Sequence, residues 1–203
     1  MAVVVIGGQT KNVGKTSVVC GLISALPDGG WTAIKISQCG HGVDSAGGGE
    51  SVAIGEERDP GSGTDSSRYL SAGAVRSLWV RTGPGELAEA MPRIRAEIAC
   101  ARNVILESNS VLGFLRPDVY ACVLDPEVAD FKASALRYID RADAVLLPAG
   151  ALDRPNWVGV SLRSIEQIRR FEIGPPSYSS AEFVGFVAEE IGRVAKKILI
   201  SKK

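Results

Sequence analysis

Short apolar runs alternate along this chain with segments whose apolar residues recur every three or four positions. Ala2 to Ile6 is a continuous, mostly β-branched run ending in glycine, the pattern of a strand buried on both faces. Val18, Val19, Leu22, Ile23 and Leu26 then follow at helical spacing until Pro27 stops them. Trp31 to Ile36 predicts a second strand, entered from the Asp-Gly-Gly turn at 28–30. Thr64 and Asp65 are placed to cap a helix over Ser66 to Ala72, and Val75 to Val80 predicts a third strand. Leu87, Met91, Ile94 and Ile98 form a helical stripe that Pro92 either kinks or begins. Val104 to Leu106 and Val119 to Leu124 predict further buried strands. Asp125-Pro126 reads as an N-cap with proline in the first turn, and Val128, Phe131, Ala135 and Ile139 continue that helix. Ala144 to Leu147 is another strand. Phe183, Val187, Ile191, Val194 and Ile198 then make a closing amphipathic helix.

Alternation of this kind predicts one α/β domain over 1–203, a doubly wound, mainly parallel sheet with helices on both faces. The stretch from Gln38 to Gly63 breaks the rhythm: it is glycine-rich and polar, without apolar periodicity. Such a stretch is expected to be a functional or disordered loop. It follows the second strand's carboxyl end, where open α/β sheets bind ligands. Ordering of this loop on a nucleotide would make the protein a switch for a protein partner.

Charge adds an exclusion. Lys plus Arg and Asp plus Glu number 23 each, so nothing in the balance points to nucleic acid or an anionic membrane. The four cysteines are scattered without a CxxC pair, and the opening run AVVVIGG is too short to span a bilayer and lacks a basic start. A reducing, cytoplasmic setting is the expectation; a homodimer stays open.

The chemistry is concentrated in GGQTKNVGKTS, between the first strand and the first helix. Gly14-Lys15-Thr16 is the sharp part of a phosphate-binding Walker A loop. Glycine lets backbone N–H groups close around phosphate oxygens, lysine reaches the outer phosphates, and the Thr16 hydroxyl ligates Mg²⁺. The helix that starts here aims its unpaired N–H groups at the same anion. Gly8, Lys11, Asn12, Val13, Gly14, Lys15, Thr16 and Ser17 are therefore the expected nucleotide contacts, with Mg²⁺ and ATP or GTP as cofactors. Five residues rather than four separate Gly8 from Gly14, so Gln9 fills the first glycine slot of the strict pattern.

That loop resembles the GTDTxVGKT loop of dethiobiotin synthetase and the KNxGKT loop of the molybdopterin-guanine dinucleotide biosynthesis adapter protein, MobB. Asp59-Pro60-Gly61, Asp65-Ser66, Arg68 and Ala72-Gly73-Ala74 also resemble the MobB stretch DxPGxDSxRxxxAGA, with Ser62 to Thr64 inserted. Val104 to Glu107 is similar to its strand ending in Glu-Gly, with Ser108 in place of glycine. The resemblance covers Ala2 to Ser108. It implies either a nucleotide-binding adapter with slow hydrolysis or an ATP-dependent enzyme that phosphorylates a carboxylate. Lys35, Gln38 and Gly40 resemble the KPVQTG segment of dethiobiotin synthetase, where the lysine serves phosphate and substrate.

Three further side chains are candidates on their own chemistry. Glu107 ends the apolar strand NVILE, so it projects at the carboxyl edge, where it can hold Mg²⁺ through water or orient a nucleophile. Lys35 interrupts WTAIKIS, where burial is costly without a partner, unless it is a plain strand-end charge. Asp65 can meet Mg²⁺ or a substrate amine, or cap its helix. Lys15, Lys35 and Glu107 are thus the expected catalytic groups, and Thr16, Asp65 and Glu107 the metal-side groups. Asp125 reads as a structural cap. His41 and Cys39 lack companions for a zinc site, and Arg163, Arg169 and Arg170 read as a solvated face. The guanine-reading pattern [NT]KxD is absent. Asp153 and Asn156, in the loop from Pro148 to Trp157, are placed to face the base.

Overall fold

The computed structural model describes residues 1–38, 52–150, 157, 159–160 and 162–201. The strands are β1 (Val3–Gly8), β2 (Trp31–Gln38), β3 (Val52–Glu57), β4 (Arg76–Thr82), β5 (Asn103–Glu107), β6 (Val119–Val123), β7 (Ala144–Pro148) and β8 (Arg169–Ile173). The α-helices are α1 (Lys15–Ala25), α2 (Asp65–Ser71), α3 (Leu87–Cys100), α4 (Ala133–Tyr138), α5 (Leu162–Glu166) and α6 (Ala181–Ser201). All eight strands form one sheet in the order β3-β4-β2-β5-β1-β6-β7-β8, with every neighbouring pair parallel except β3 and β4. The expected doubly wound α/β fold is what forms.

Strand parity sorts the core into two layers. Val4 and Ile6 of β1, with Trp31 and Ala33 of β2 and Ile105 of β5, pack against α1, α2 and α6 through Val18, Leu22, Tyr69, Phe183 and Val187. Val5, Ile34, Ile36, Val104 and Leu106 face the other way and bury α3 through Leu87, Met91, Ile94 and Ile98. β1 lies between β5 and β6, so the winding reverses there, and its carboxyl end opens a crevice. No helix among the described residues is long and apolar enough to cross a membrane.

Two expectations change. The stretch 38–63 is not one loop: Val52–Glu57 pairs antiparallel with β4 as an edge strand. Its signal is weak because its contacts are tertiary: Trp79 lies over Gly55, where a Cβ would come within 2.2 Å of the ring, and Arg76 binds Glu56 at 2.9 Å. Residues 39–51, with Cys39, Gly40 and His41, lie outside the described residues. Pro92, which the spacing left as either a kink or a start, lies inside α3, which begins at Leu87. Arg163, Arg169 and Arg170 are exposed, as a solvated face requires, and the last two open strand β8.

The second change is the more informative. No helix starts at Asp125; α4 begins only at Ala133. Asp125 instead accepts from the Glu127 N–H at 3.0 Å and starts a turn. The buried Gln9 side chain takes over the backbone groups that a helix would have paired. It accepts from the Asp125 N–H at 2.8 Å and donates to the carbonyls of Val128 and Asp130. Its own carbonyl accepts from the Lys132 N–H at 2.9 Å. A helix was one way to satisfy this backbone; Gln9 is another.

Gln9→Ala is therefore expected to lower folding stability by about 3 kcal/mol, because several buried backbone groups lose their partner at once. Urea unfolding checks it. Stability within 0.5 kcal/mol of wild type, about the scale of a surface change, would show that Gln9 does not brace 125–132.

Candidate functional site

β1 ends at Gly8 and α1 begins at Lys15, and the six residues between them curl through two left-handed positions, Asn12 at φ 64° and Gly14 at φ 98°. Such turns gather successive N–H groups into a concavity for an anion. Gly8 has to be glycine: a Cβ there would meet the Lys15 stem at 2.8 Å. Asn109, just past β5, clamps this point. Its amide donates to the Gly8 carbonyl at 2.7 Å and accepts from the Gly8 N–H at 2.9 Å. The Lys15 ammonium donates to the Thr10 carbonyl at 2.6 Å. Burial pushes its pKa down to about 8, against the attraction of Glu107 and with help from Lys132 and Lys35.

Register and parity assemble the rest. Lys35 and Glu107 are level neighbours on the adjacent parallel strands β2 and β5. Lys35 continues the parity of Trp31 and Ala33, and Glu107 that of Ile105, so both project on the α1 and α2 side. There Lys35 Nζ lies 2.6 Å from Glu107 Oε1 and 2.7 Å from Asp65 Oδ2. Glu107 Oε2 accepts from the Thr16 hydroxyl at 2.7 Å and also from the Tyr69 hydroxyl. Glu107 is only 4% exposed, yet both its oxygens are satisfied. Asp65 opens α2 under the Thr64 cap, whose hydroxyl accepts from the Ser67 N–H at 3.0 Å. Arg68 donates to Ser17 Oγ at 3.1 Å and lies 3.7 Å from Asp65.

These groups line a cavity of about 670 Å³ with Lys11, Asn12, Gly14, Ser17, Gln38 and Lys132. Lys15, Thr16, Lys35, Asp65 and Glu107, distant in sequence, thus meet in one place. Val13 does not face it. With Asn12 and Gly14, Val13 borders a second cavity of about 480 Å³, walled by Asp125, Pro148, Pro175 and Tyr178. Tyr178 comes to rest beside Gly14, where a Cβ would sit 3.5 Å from its ring. Asp153 and Asn156 lie outside the described residues. Ser108 accepts from the Val111 N–H at 3.3 Å and caps the turn after β5.

The sequence reading passed over Tyr69, Asn109, Gln9 and Lys132. Tyr69 carried a signal, since it stands four residues after Asp65 and so shares its helix face. Gln9 carried one too, as the extra residue in the loop. Nothing local marks Asn109 or Lys132.

No protein-family model and no curated protein matches the chain. Solved structures do. LpxK from Aquifex aeolicus, in complex with ATP, superposes with TM-score 0.50 at 18% identity over 85% of this chain and 53% of that one. The chain thus spans about half the length of that LpxK structure. HypB from Helicobacter pylori, in complex with nickel, superposes with TM-score 0.52 at 17% identity over 94% of this chain and 87% of that one. At such identities the likeness establishes the fold alone, a doubly wound α/β sheet.

The Lys35 cluster has a stability signature in pH. Burial alone would raise Asp65, but the Lys35 ammonium holds its carboxyl below the ordinary 3.8, so this contribution is present above 3.8 and is lost as pH falls through the lowered value. Burial alone would lower Lys35, but Glu107 and Asp65 hold it above 10.5, so this contribution is present below 10.5 and is lost at higher pH. Lys35→Met should destabilise the protein by about 3 kcal/mol at neutral pH, the low end for breaking a buried pair. The difference from wild type should shrink on both sides of the window from 3.8 to 10.5. Denaturant titrations across pH test this; a pH-independent difference would mean that packing, not charge, is lost.

Proposed function

We propose that this chain binds a nucleoside triphosphate with Mg²⁺ at the Gly8–Ser17 loop and cleaves its terminal phosphate slowly, as a MobB-like nucleotide-dependent adapter would. One observation carries the reading. Glu107 joins the Thr16 hydroxyl to the Lys35 ammonium at the mouth of the loop that holds Lys15. Folding alone does not account for such an arrangement, because apolar residues of the same shape would give similar net stability. The arrangement does suit a reaction in which negative charge moves along a phosphate chain.

The oxygens of Thr16, Glu107 and Asp65 are hard donors, which fit Mg²⁺. Among the described residues no group of three or more His, Cys, Asp or Glu is arranged to hold a metal alone. Thr16 would therefore bind the ion directly and Glu107 through water, with phosphate oxygens completing the shell. When bound, the ion neutralises charge on the outer phosphates. Lys15 leaves the Thr10 carbonyl for those phosphates. Glu107 is placed to orient an attacking water, and Lys35 to stabilise charge on the transferred group.

The second cavity, beside Val13 and Tyr178, is assigned to the base. Its wall includes Pro148, Pro175 and the Tyr178 ring, apolar surfaces on which a base can lie, with Asp125 as the polar group. ATP and GTP are both carried forward. A second reading is phosphoryl transfer to a small organic acid. It is supported by the polar wall of Ser37, Gln38 and Ser110 beyond Lys35, with Arg68 on the same cavity.

Lys15→Ala should abolish triphosphate binding in calorimetry while apo thermal stability stays at or above wild type, because a partly buried cation is removed. Equal affinity in mutant and wild type would end the P-loop reading. Glu107→Gln should keep affinity within about tenfold and slow phosphate release by roughly 10² or more, the scale of a positioned acid–base group. Unchanged release would reduce Glu107 to a structural acceptor. Adding pooled organic acids separates the readings: a large rise in turnover supports the acid-phosphorylating enzyme, and no rise supports the hydrolysing adapter. Tyr178→Ala should weaken a nucleoside triphosphate but spare inorganic tripolyphosphate, and equal loss of both removes the base assignment.

A further inference from the structure

Lys132 has no part in the loop motif, yet it opens onto the same cavity as Lys15 and Thr16. It stands at the end of the segment 125–132, which is braced rather than loose. Gln9 holds that segment at Asp125, Val128, Asp130 and Lys132, as described above. Trp157 adds a second brace: its indole N–H donates to the Asp125 carbonyl at 2.8 Å, and its ring meets Phe131 edge-on at 5.7 Å. The side chain at 132 is therefore presented to the cavity by a fixed stretch of backbone, anchored on the phosphate loop itself.

The charges around it are unbalanced. Among the described residues, Lys132 and Lys11 make no ion pair and no side-chain hydrogen bond, while Lys15 binds only the Thr10 carbonyl. The carboxylates on the cavity, Glu107 and Asp65, are both bound to Lys35. Partial burial lowers the Lys132 pKa, and Lys11 and Lys35 lower it further against Glu107. Lys132 in turn lowers that of Lys15. Cations that repel one another across a shared polar cavity are stabilised together by one multiply charged anion. Lys132 lines the cavity that Lys15, Thr16, Lys35 and Glu107 also line, so an anion held by Lys15 and Thr16 would share that space with Lys132.

We propose that Lys132 is a second phosphate-binding lysine, contacting the terminal phosphoryl group of the nucleotide at the P-loop and making the site favour triphosphate over diphosphate. This rests on the P-loop reading above. Gln9 is the positioning residue: it carries Lys132 on the same loop that carries Lys15, so the two lysines move as one unit.

The test is calorimetry on the full chain with Mg²⁺, using the β,γ-imido triphosphates of adenosine and guanosine and the matching diphosphates. Lys132→Met should weaken the triphosphate analogue by about tenfold or more, the scale of one charge-assisted hydrogen bond. The diphosphate should change by less than about threefold, because the other phosphate contacts remain. Lys132→Arg should recover most of the loss, and apo thermal stability should be unchanged or raised. A triphosphate-to-diphosphate preference equal to wild type would overturn the proposal. So would an equal loss for both nucleotides, which would place Lys132 on an inner phosphate. Lys15→Met is run beside it. If that variant still binds like wild type, the P-loop reading itself has failed; if it loses binding while Lys132→Met does not, only the role of Lys132 has failed. Should Lys132→Met not fold, Lys132→Gln carries the same measurement.

Discussion

A carboxylate with 4% exposure at the end of a central strand has to be solvated by the protein, and Glu107 is solvated by three other elements. Thr16 comes from α1, Lys35 from β2, Tyr69 from α2, and the acid itself from β5. An unpartnered charge at this depth costs several kcal/mol. Each of these elements is therefore held in place partly by the need to reach the same two oxygens. The arrangement of α1 and α2 over the sheet's carboxyl edge and the geometry of the candidate site are one problem with one solution.

The cluster also fixes what the site can do. With both carboxylates bound to Lys35, and Arg68 3.7 Å from Asp65, the remaining cavity lysines Lys11, Lys15 and Lys132 make no ion pair among the described residues. Lys11, Lys15 and Lys132 leave unpaired positive charge on the cavity, whereas Lys35 is offset by Glu107 and Asp65. A multiply charged anion such as a phosphate chain complements those lysines. The proposed binding of nucleotide and Mg²⁺ and the role proposed for Lys132 all rest on this one distribution of charge.

Gln9 links the two sides of β1. In a loop one residue longer than the strict Walker A pattern, the added side chain turns away from the phosphate concavity and holds the segment after β6. The phosphate loop and the segment carrying Lys132 are thus one mechanical piece, and the Trp157–Phe131 contact closes it from outside. The Gln38–Gly63 stretch is less independent than its composition suggests, since β3 is tied to β4 by backbone pairing and by Arg76.

Much of this was open to reading in the chain itself. Buried strands such as Val3–Gly8 and Val119–Val123 announce themselves by apolar runs, and Gly14-Lys15-Thr16 by composition, because both depend on local chemistry. Parity along β2 and β5 even determines that Lys35 and Glu107 share a face, once the strands are known to be neighbours. That adjacency was not legible: strand order depends on which apolar faces bury one another, and no local pattern encodes it. The helix expected after Asp125 failed for a related reason. Its pattern was sound, but a glutamine more than a hundred residues upstream satisfies the same backbone groups in another conformation. Lys132, Asn109 and Tyr69 acquire meaning only from the residues they meet in space. Sequence determined which segments could be strands, helices and a phosphate loop, since those depend on neighbours in the chain. Tertiary structure decided which charges meet, since that depends on neighbours in space.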